Sequence, residues 1–238
     1  MSTLVLIRHG QASLTAADYD VLSPTGIEQS RRLGGYLAAM GRGFDRIYSG
    51  PLRRQIDTAR HLREAAAAAG LALPEVIVEP DLDEMPALAI LRERAPELAG
   101  DPSIAAHLEA IAAAGDDRLA YLRAFEPLFQ AMMRRWLAGE FDAQVEPHAA
   151  FQARVEAAIE RALAAAGKGA RVAMITSAGP VGAAVRRAYA LAPWDGMRAT
   201  FVVANASLTE LKHRPGELTL TAFNALPHLH DPALVTLR

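Results

Sequence analysis

The sequence predicts an α/β fold, a mostly parallel β-sheet covered by helices on both faces. Two observations carry the prediction. Short apolar runs alternate with amphipathic stretches of helical period, at Leu4–Ile7, Phe44–Tyr48, Val76–Val78 and Arg171–Ile175. Strand ends also pass repeatedly through a short polar turn into a helix that opens near a proline, as at Pro51 and Pro180. Such junctions gather on one edge of a parallel sheet, the edge where open α/β sheets bind ligands.

In chain order, Leu4-Val5-Leu6-Ile7 is a buried strand running without a spacer into Arg8-His9-Gly10-Gln11. A guanidinium and an imidazole at a strand's carboxyl end make an anion site holding a potential nucleophile. Gln11 to Val21 is a polar connection containing Asp18, Tyr19 and Asp20. Ser23 then caps a helix with Pro24 at its first position, Ile27, Leu33, Leu37 and Met40 as its stripe, and Gly41 and Gly43 at its end. The second strand runs into Ser49-Gly50-Pro51-Leu52-Arg53-Arg54, with Pro51 at a first helical position and Leu52, Ile56, Ala59 and Leu62 facing inward. Arg54 falls in that helix's first turn, unfavourable for the helix dipole unless an anion lies between them. The simpler alternative, an arginine paired with a carboxylate such as Asp57, suits Arg53.

After Val76–Val78, the acidic loop Glu79–Pro86 carries Glu84 beside Met85, whose apolar side chain would raise the carboxyl towards a general acid's range. Residues 87–167 are Ala-rich and helical, with stripes at Leu122, Phe125, Phe129, Met132 and Trp136 and at Phe151, Val155, Ile159 and Leu163. Pro127 is expected to kink or split the first of these helices. Within one domain spanning 1–238, residues 85–147 are expected to form a helical cap over the sheet's carboxyl edge. The fourth strand turns at Thr176-Ser177-Ala178-Gly179-Pro180 into a helix, where Thr176 and Ser177 are simple capping candidates. Phe201–Val203 and Ser207–Leu211 read as one strand, or as two with a break at Asn205, and Leu218–Phe223 reads as the last strand, reached through the Arg214–Glu217 turn.

Composition narrows the chemistry. A net charge of −2 offers no field for nucleic acid or membrane partners, and no stretch approaches the ~20 apolar residues that span a bilayer. Leu4–Ile7 is too short for a signal peptide's apolar core. The lack of cysteine excludes thiolate catalysis and disulfides and fits a cytoplasmic protein. The histidines form no metal-ligand pattern, and no cofactor is expected.

Together these stretches resemble the histidine phosphatase (phosphoglycerate mutase-like) superfamily. Leu6-Ile7-Arg8-His9-Gly10 is similar to its opening signature, and Leu22–Gln29 to its Leu-Thr-x-x-Gly-x-x-Gln segment. Gly50-Pro51-Leu52-Arg53-Arg54 with Thr58-Ala59 is similar to its Ser-Pro-Leu-x-Arg…Thr-Ala stretch, which assigns the second arginine to Arg54. Leu82-Asp83-Glu84 resembles the segment carrying the acid. The resemblance implies a three-layer α/β/α sandwich, His9 as phosphohistidine, Glu84 as acid, and Arg8, Arg54, Gln11, Ser177 and Ala178 around the phosphate. It implies a small-molecule phosphomonoester as partner and permits a homodimer.

One departure stands out. Ser177 occupies the place of the family's usual second histidine. A charge-assisted hydrogen bond contributes roughly 1.5–3 kcal/mol and a neutral one about 0.5–1.5, so the change slows the reaction on the order of 10-fold or more. A branch of the superfamily with a Thr-Ser-Gly-type turn and an Asn-x-x-x-His-Leu ending resembles this chain at Asn224–Leu229. His228 and His230 are candidates for a substitute cation, although packing of His228 at the domain edge is the favoured reading. The expected activity is metal-independent phosphomonoester hydrolysis. The alternatives are mutase-type phosphoryl transfer, disfavoured by the apolar Met85–Ile90 stretch, and a phosphate-binding protein with weakened turnover.

Overall fold

The computed structural model describes residues 1–13, 20–115 and 117–237. Six strands form one sheet in the order β3-β2-β4-β1-β5-β6: β1 (Ser2–Arg8), β2 (Arg46–Ser49), β3 (Val76–Val78), β4 (Arg171–Thr176), β5 (Leu208–Arg214) and β6 (Glu217–Ala225). The pairs β3-β2, β2-β4 and β4-β1 are parallel, and β5 returns antiparallel to β1 before its hairpin with β6. Arg8 lies opposite Thr176, and Ser49 opposite both Ile175 and Val78. The chain therefore leaves four strands at one edge.

Period-two alternation sorts the apolar residues onto two faces. Val5, Ile7, Ala173 and Ile175 share a buried cluster with Leu33 and Leu37 of α1 (Pro24–Ala39) and Ala59 and Leu62 of α2 (Arg53–Ala68). Their neighbours Leu4, Leu6, Val172 and Met174 are equally buried, which places them on the opposite face. There α6 (Ala178–Tyr189) packs against β1 and β6. The result is a three-layer α/β/α sandwich with a mostly parallel sheet.

The chain divides into two compact units, residues 1–84 with 153–238, and residues 85–152. The second begins with short turns over Ala87–Glu97 and continues through α3 (Pro102–Ala114) and α4 (Arg118–Leu137). The boundary falls within α5 (His148–Ala166). Trp136 anchors this unit: its indole N–H donates to the Glu146 carbonyl (2.8 Å), and its ring meets those of His148 and Phe151.

Several elements differ from expectation. Pro51 precedes α2, whose N-cap is Leu52, and Ile56 is exposed because Gln55 and Thr58 share the buried face instead. Met40 lies beyond the end of α1 and is exposed. Pro127 does not split α4; it and Arg123 sit on the exposed side, where water can satisfy the carbonyl that the proline leaves unbonded. Phe201–Val203 is not a strand, because Pro193 opens α7 (Pro193–Thr200) and Phe201 caps its end.

Two glycines bring the first turn of α1 against the loop after β1. A Cβ on Gly26 would lie 2.2 Å from the Gln11 carbonyl oxygen, and one on Gly10 would lie 2.4 Å from the Gly26 carbonyl oxygen. Both obstacles are backbone. Residues 14–19 of the connecting loop, Asp18 and Tyr19 among them, lie outside the described residues. Gly26→Ala is expected to destabilise the protein by about 1–3 kcal/mol in urea unfolding, with an unchanged m-value.

Candidate active site

His9 follows β1 directly and is 3% exposed. Its Nδ1 lies 2.7 Å from the Gly10 carbonyl oxygen, and the Arg54 Nε–H points at its Nε2 from 3.2 Å. A carbonyl can only accept and a guanidinium can only donate, so the two contacts fix the tautomer. Nδ1 carries the proton, and the Nε2 lone pair accepts from the Arg54 Nε–H. Burial, then the charges of Arg8 and Arg54, hold the imidazole's pKa well below its ordinary value, against the opposing pull of the Gly10 bond. The ring is therefore neutral and nucleophilic at neutral pH.

Both arginines are held by the backbone or by a carboxylate. The Arg8 Nη1 donates to the carbonyls of Val203 and Leu237. In α2, Asp20 accepts from the backbone N–H groups of Arg53 (2.8 Å) and Arg54 (3.3 Å) and from the Arg54 Nη1 (2.8 Å). The anion between Arg54 and its helix end is thus supplied by the protein. Asp20 compensates the helix's positive end and braces the guanidinium together. Arg53 is mostly exposed and lies near Asp57 at 3.7 Å.

At the start of α6 the roles are redistributed. Ser177 occupies the N-cap position, but its hydroxyl makes no capping bond. The Gly179 N–H instead donates to the Glu84 Oε1 (2.9 Å), so the carboxylate caps the helix. The Ser177 Oγ accepts from the Gln55 side-chain amide at 2.8 Å, and Ser177 is fully buried. The Thr176 hydroxyl donates to the Leu82 carbonyl (2.8 Å) rather than capping. Arg154 fixes the backbone that carries Glu84, donating to the carbonyls of Asp81, Asp83 and Glu84 at 2.8, 2.9 and 3.2 Å.

The structure thus joins His9, Arg8 and Arg54 in one cluster and Ser177, Ala178 and Glu84 in a second, with Gln55 next to Arg54 in sequence and bonded to Ser177. Gln11 lies on the α1 side, where its side-chain oxygen accepts from the Ser23 hydroxyl (2.9 Å) and its N–H donates to Gln29 (2.8 Å). Ala178 is buried in the first turn of α6.

The histidines after β6 lie elsewhere. His228 packs by Tyr36, with ring centroids 6.4 Å apart, and lines a cleft with Arg32, Gly35, Tyr36, Ala39 and His230. Tyr36 stands ten residues beyond Gly26, or about 15 Å along α1 from the turn against Gly10. Burial, with smaller contributions from His230 and Arg32, pushes the His228 pKa down to about 4. At neutral pH it carries no charge, so it cannot serve as the substitute cation. Among the described residues no group of three His, Asp or Glu side chains could hold a metal ion. No helix among them is long and apolar enough to cross a membrane.

Reading the residues in isolation missed Asp20, Gln55, Asn205 and Arg154 as parts of this site. Asn205 donates to the His9 carbonyl (3.2 Å). Gln55 left a signal: with Ala59 and Leu62 it falls on one helical face, a polar residue in an apolar stripe. Asp20, Asn205 and Arg154 act across the fold and left none.

Comparison with known proteins identifies the family. The chain belongs to the histidine phosphatase superfamily (branch 1), whose pattern it matches over residues 4–97 and 118–226. A phosphoglycerate mutase from Bacillus anthracis has a similar structure, with a TM-score of 0.64 and 20% identity over 95% of this chain and 94% of that one. A phosphoserine phosphatase from Entamoeba histolytica gives 0.63 and 21% over 96% and 100%. The α-ribazole phosphatase of Shigella flexneri gives 0.58 and 20% over 94% and 96%. In sequence, a 2,3-bisphosphoglycerate-dependent phosphoglycerate mutase of Rhizobium etli is 41% identical over 66 residues. That stretch spans 25% of this chain and only 32% of the relative.

His228 has a measurable consequence. Because its folded pKa lies below the unfolded value near 6.5, the unfolded chain takes up the proton first as the pH falls. The linked proton uptake therefore has no effect above pH 6.5 and removes about 2–3 kcal/mol of stability by pH 4. His228→Phe is expected to flatten the loss of stability between pH 6.5 and 4 in denaturant titrations.

Proposed function

We propose that this protein is a phosphomonoester hydrolase acting through a phosphohistidine on His9, without a metal ion. The observation that carries the reading is the neutral, tautomer-fixed imidazole whose Nε2 sits 3.2 Å from the Arg54 guanidinium. The arginines supply the charge compensation that phosphoryl transfer requires. In the first step Nε2 attacks phosphorus and the bond to the leaving oxygen breaks. Glu84, as the carboxylic acid, protonates that oxygen. Its Oε1 accepts from the Gly179 N–H, which orients the carboxyl group. In the second step Glu84 removes a proton from water, the water oxygen attacks phosphorus, and the P–N bond breaks to release inorganic phosphate.

Hydrolysis is preferred to mutase chemistry because a mutase must hold a second anionic group while its substrate reorients. The stretch after Glu84 is Met-Pro-Ala-Leu-Ala-Ile, and its Met85, Ala87 and Ile90 are buried hydrophobic core. The phosphoserine and α-ribazole phosphatases of similar fold support a small phosphomonoester as substrate.

Incubation with p-nitrophenyl phosphate is expected to release phosphate, and His9→Ala to reduce the rate by about 10³-fold or more. Equal rates in the two proteins would end the enzyme reading and leave a phosphate-binding protein. Glu84→Gln is expected to lower kcat by roughly 10²–10⁴-fold on alkyl phosphates such as phosphoserine. The loss on p-nitrophenyl phosphate should be much smaller, because that leaving group departs as a stable anion. Equal losses on both substrates would remove Glu84 from the proton-transfer role.

A further inference from the structure

Gln55 is fully buried in the first turn of α2, beside Arg54. Its Oε1 accepts from the Leu52 N–H at 3.1 Å, while its Nε2 donates to the Ser177 Oγ at 2.8 Å and reaches the Leu82 carbonyl at 3.5 Å. These partners orient the amide: a backbone N–H only donates and a carbonyl only accepts, so the amide cannot be flipped without opposing like groups at both ends. Gly50 makes the space, since a Cβ there would lie 2.2 Å from the Gln55 Oε1.

The consequence falls on Ser177. A serine at an N-cap ordinarily spends its oxygen on the second or third N–H of the helix, but here Glu84 has taken that bond. The oxygen instead receives the Gln55 amide proton, and the hydroxyl must turn its own proton elsewhere. Among the described residues no side chain or carbonyl accepts it. A buried donor without a partner is costly, and the cost is removed by an acceptor that arrives with the substrate. Ser177 directly follows Thr176, whose carbonyl receives the His9 N–H at 2.8 Å, so this proton is presented at the same strand end as the nucleophile.

We propose that Gln55 is a positioning residue that makes the Ser177 hydroxyl a hydrogen-bond donor to the phosphoryl group transferred to His9. The inference rests on the phosphatase reading and adds to it a coupling between α2 and α6. Three variants test it with p-nitrophenyl phosphate: Ser177→Ala, Gln55→Glu and the double variant. In Gln55→Glu the carboxylate accepts where the amide donated, and so captures the Ser177 proton. Each single variant is expected to lower kcat by about 10-fold with KM changed less than about twofold, as for a bond made in the transition state. The double variant is expected to match Ser177→Ala within about twofold. Gln55→Leu, which removes the amide without adding charge, should likewise have no further effect in the Ser177→Ala background.

Additive losses, or a Gln55→Glu protein with wild-type kcat, would overturn the proposal while leaving the phosphatase reading in place. If the wild type is no faster than His9→Ala, it is the phosphatase reading that fails. The coupling is then read from calorimetric affinities for inorganic phosphate, which Ser177→Ala and Gln55→Glu must weaken alike; unchanged affinity in both would overturn it.

Discussion

The candidate site depends on one imidazole held between two partners that cannot exchange roles. The Gly10 carbonyl takes the proton of Nδ1, and the Arg54 guanidinium faces the lone pair of Nε2. Protonating Nε2 would set one N–H against another inside a buried pocket that already contains two guanidinium groups. The ring is therefore kept neutral by geometry as well as by desolvation. In the proposed reaction, the same guanidinium that suppresses the charge on the histidine receives the negative oxygens of the phosphoryl group.

Holding two arginines beside a neutral histidine requires restraints, and the fold supplies them at the carboxyl edge of the sheet. Asp20 balances Arg54 and the end of α2 together, while two backbone carbonyls hold Arg8 without adding a charge. Glu84 caps α6, and its backbone is held in turn by Arg154, which binds the Glu84 carbonyl and those of Asp81 and Asp83. Neither end of the site relies on a loop alone. The close approach of Gly10 and Gly26 brings the first turn of α1 against this edge, so a single methyl group there would disturb it.

Much of the architecture was legible in the residues. The runs at Leu4 and Arg171 were readable because a parallel strand buried on both faces has no polar alternation to confuse it. The failures came where a local rule was overridden by context. Phe201–Val203 has strand composition but closes a short helix opened by Pro193. Pro127 stays within α4 because its exposed side lets water replace the missing bond. At the site, His9 and Arg54 are visible as polar groups at a strand end and a helix start. Their partners are not: Asp20 lies far from Arg54 in sequence, and Asn205 reaches His9 from the opposite end of the chain. Ser177 reads as a capping residue, but its hydroxyl makes no capping bond and instead receives an amide proton from another helix, which no spacing rule connects to it.

Two-bond ¹H–¹⁵N NMR of the ¹⁵N-histidine-labelled protein, with His9→Ala as the assignment control, reads directly whether His9 is a neutral Nδ1–H imidazole with an unprotonated Nε2. At pH 6 a pyrrole-type Nδ1 and a pyridine-type Nε2 are expected, the latter moving to a phosphoramidate shift when a phosphorylating agent is added. A doubly protonated ring at that pH, or the opposite tautomer, would contradict the neutral Nδ1–H form.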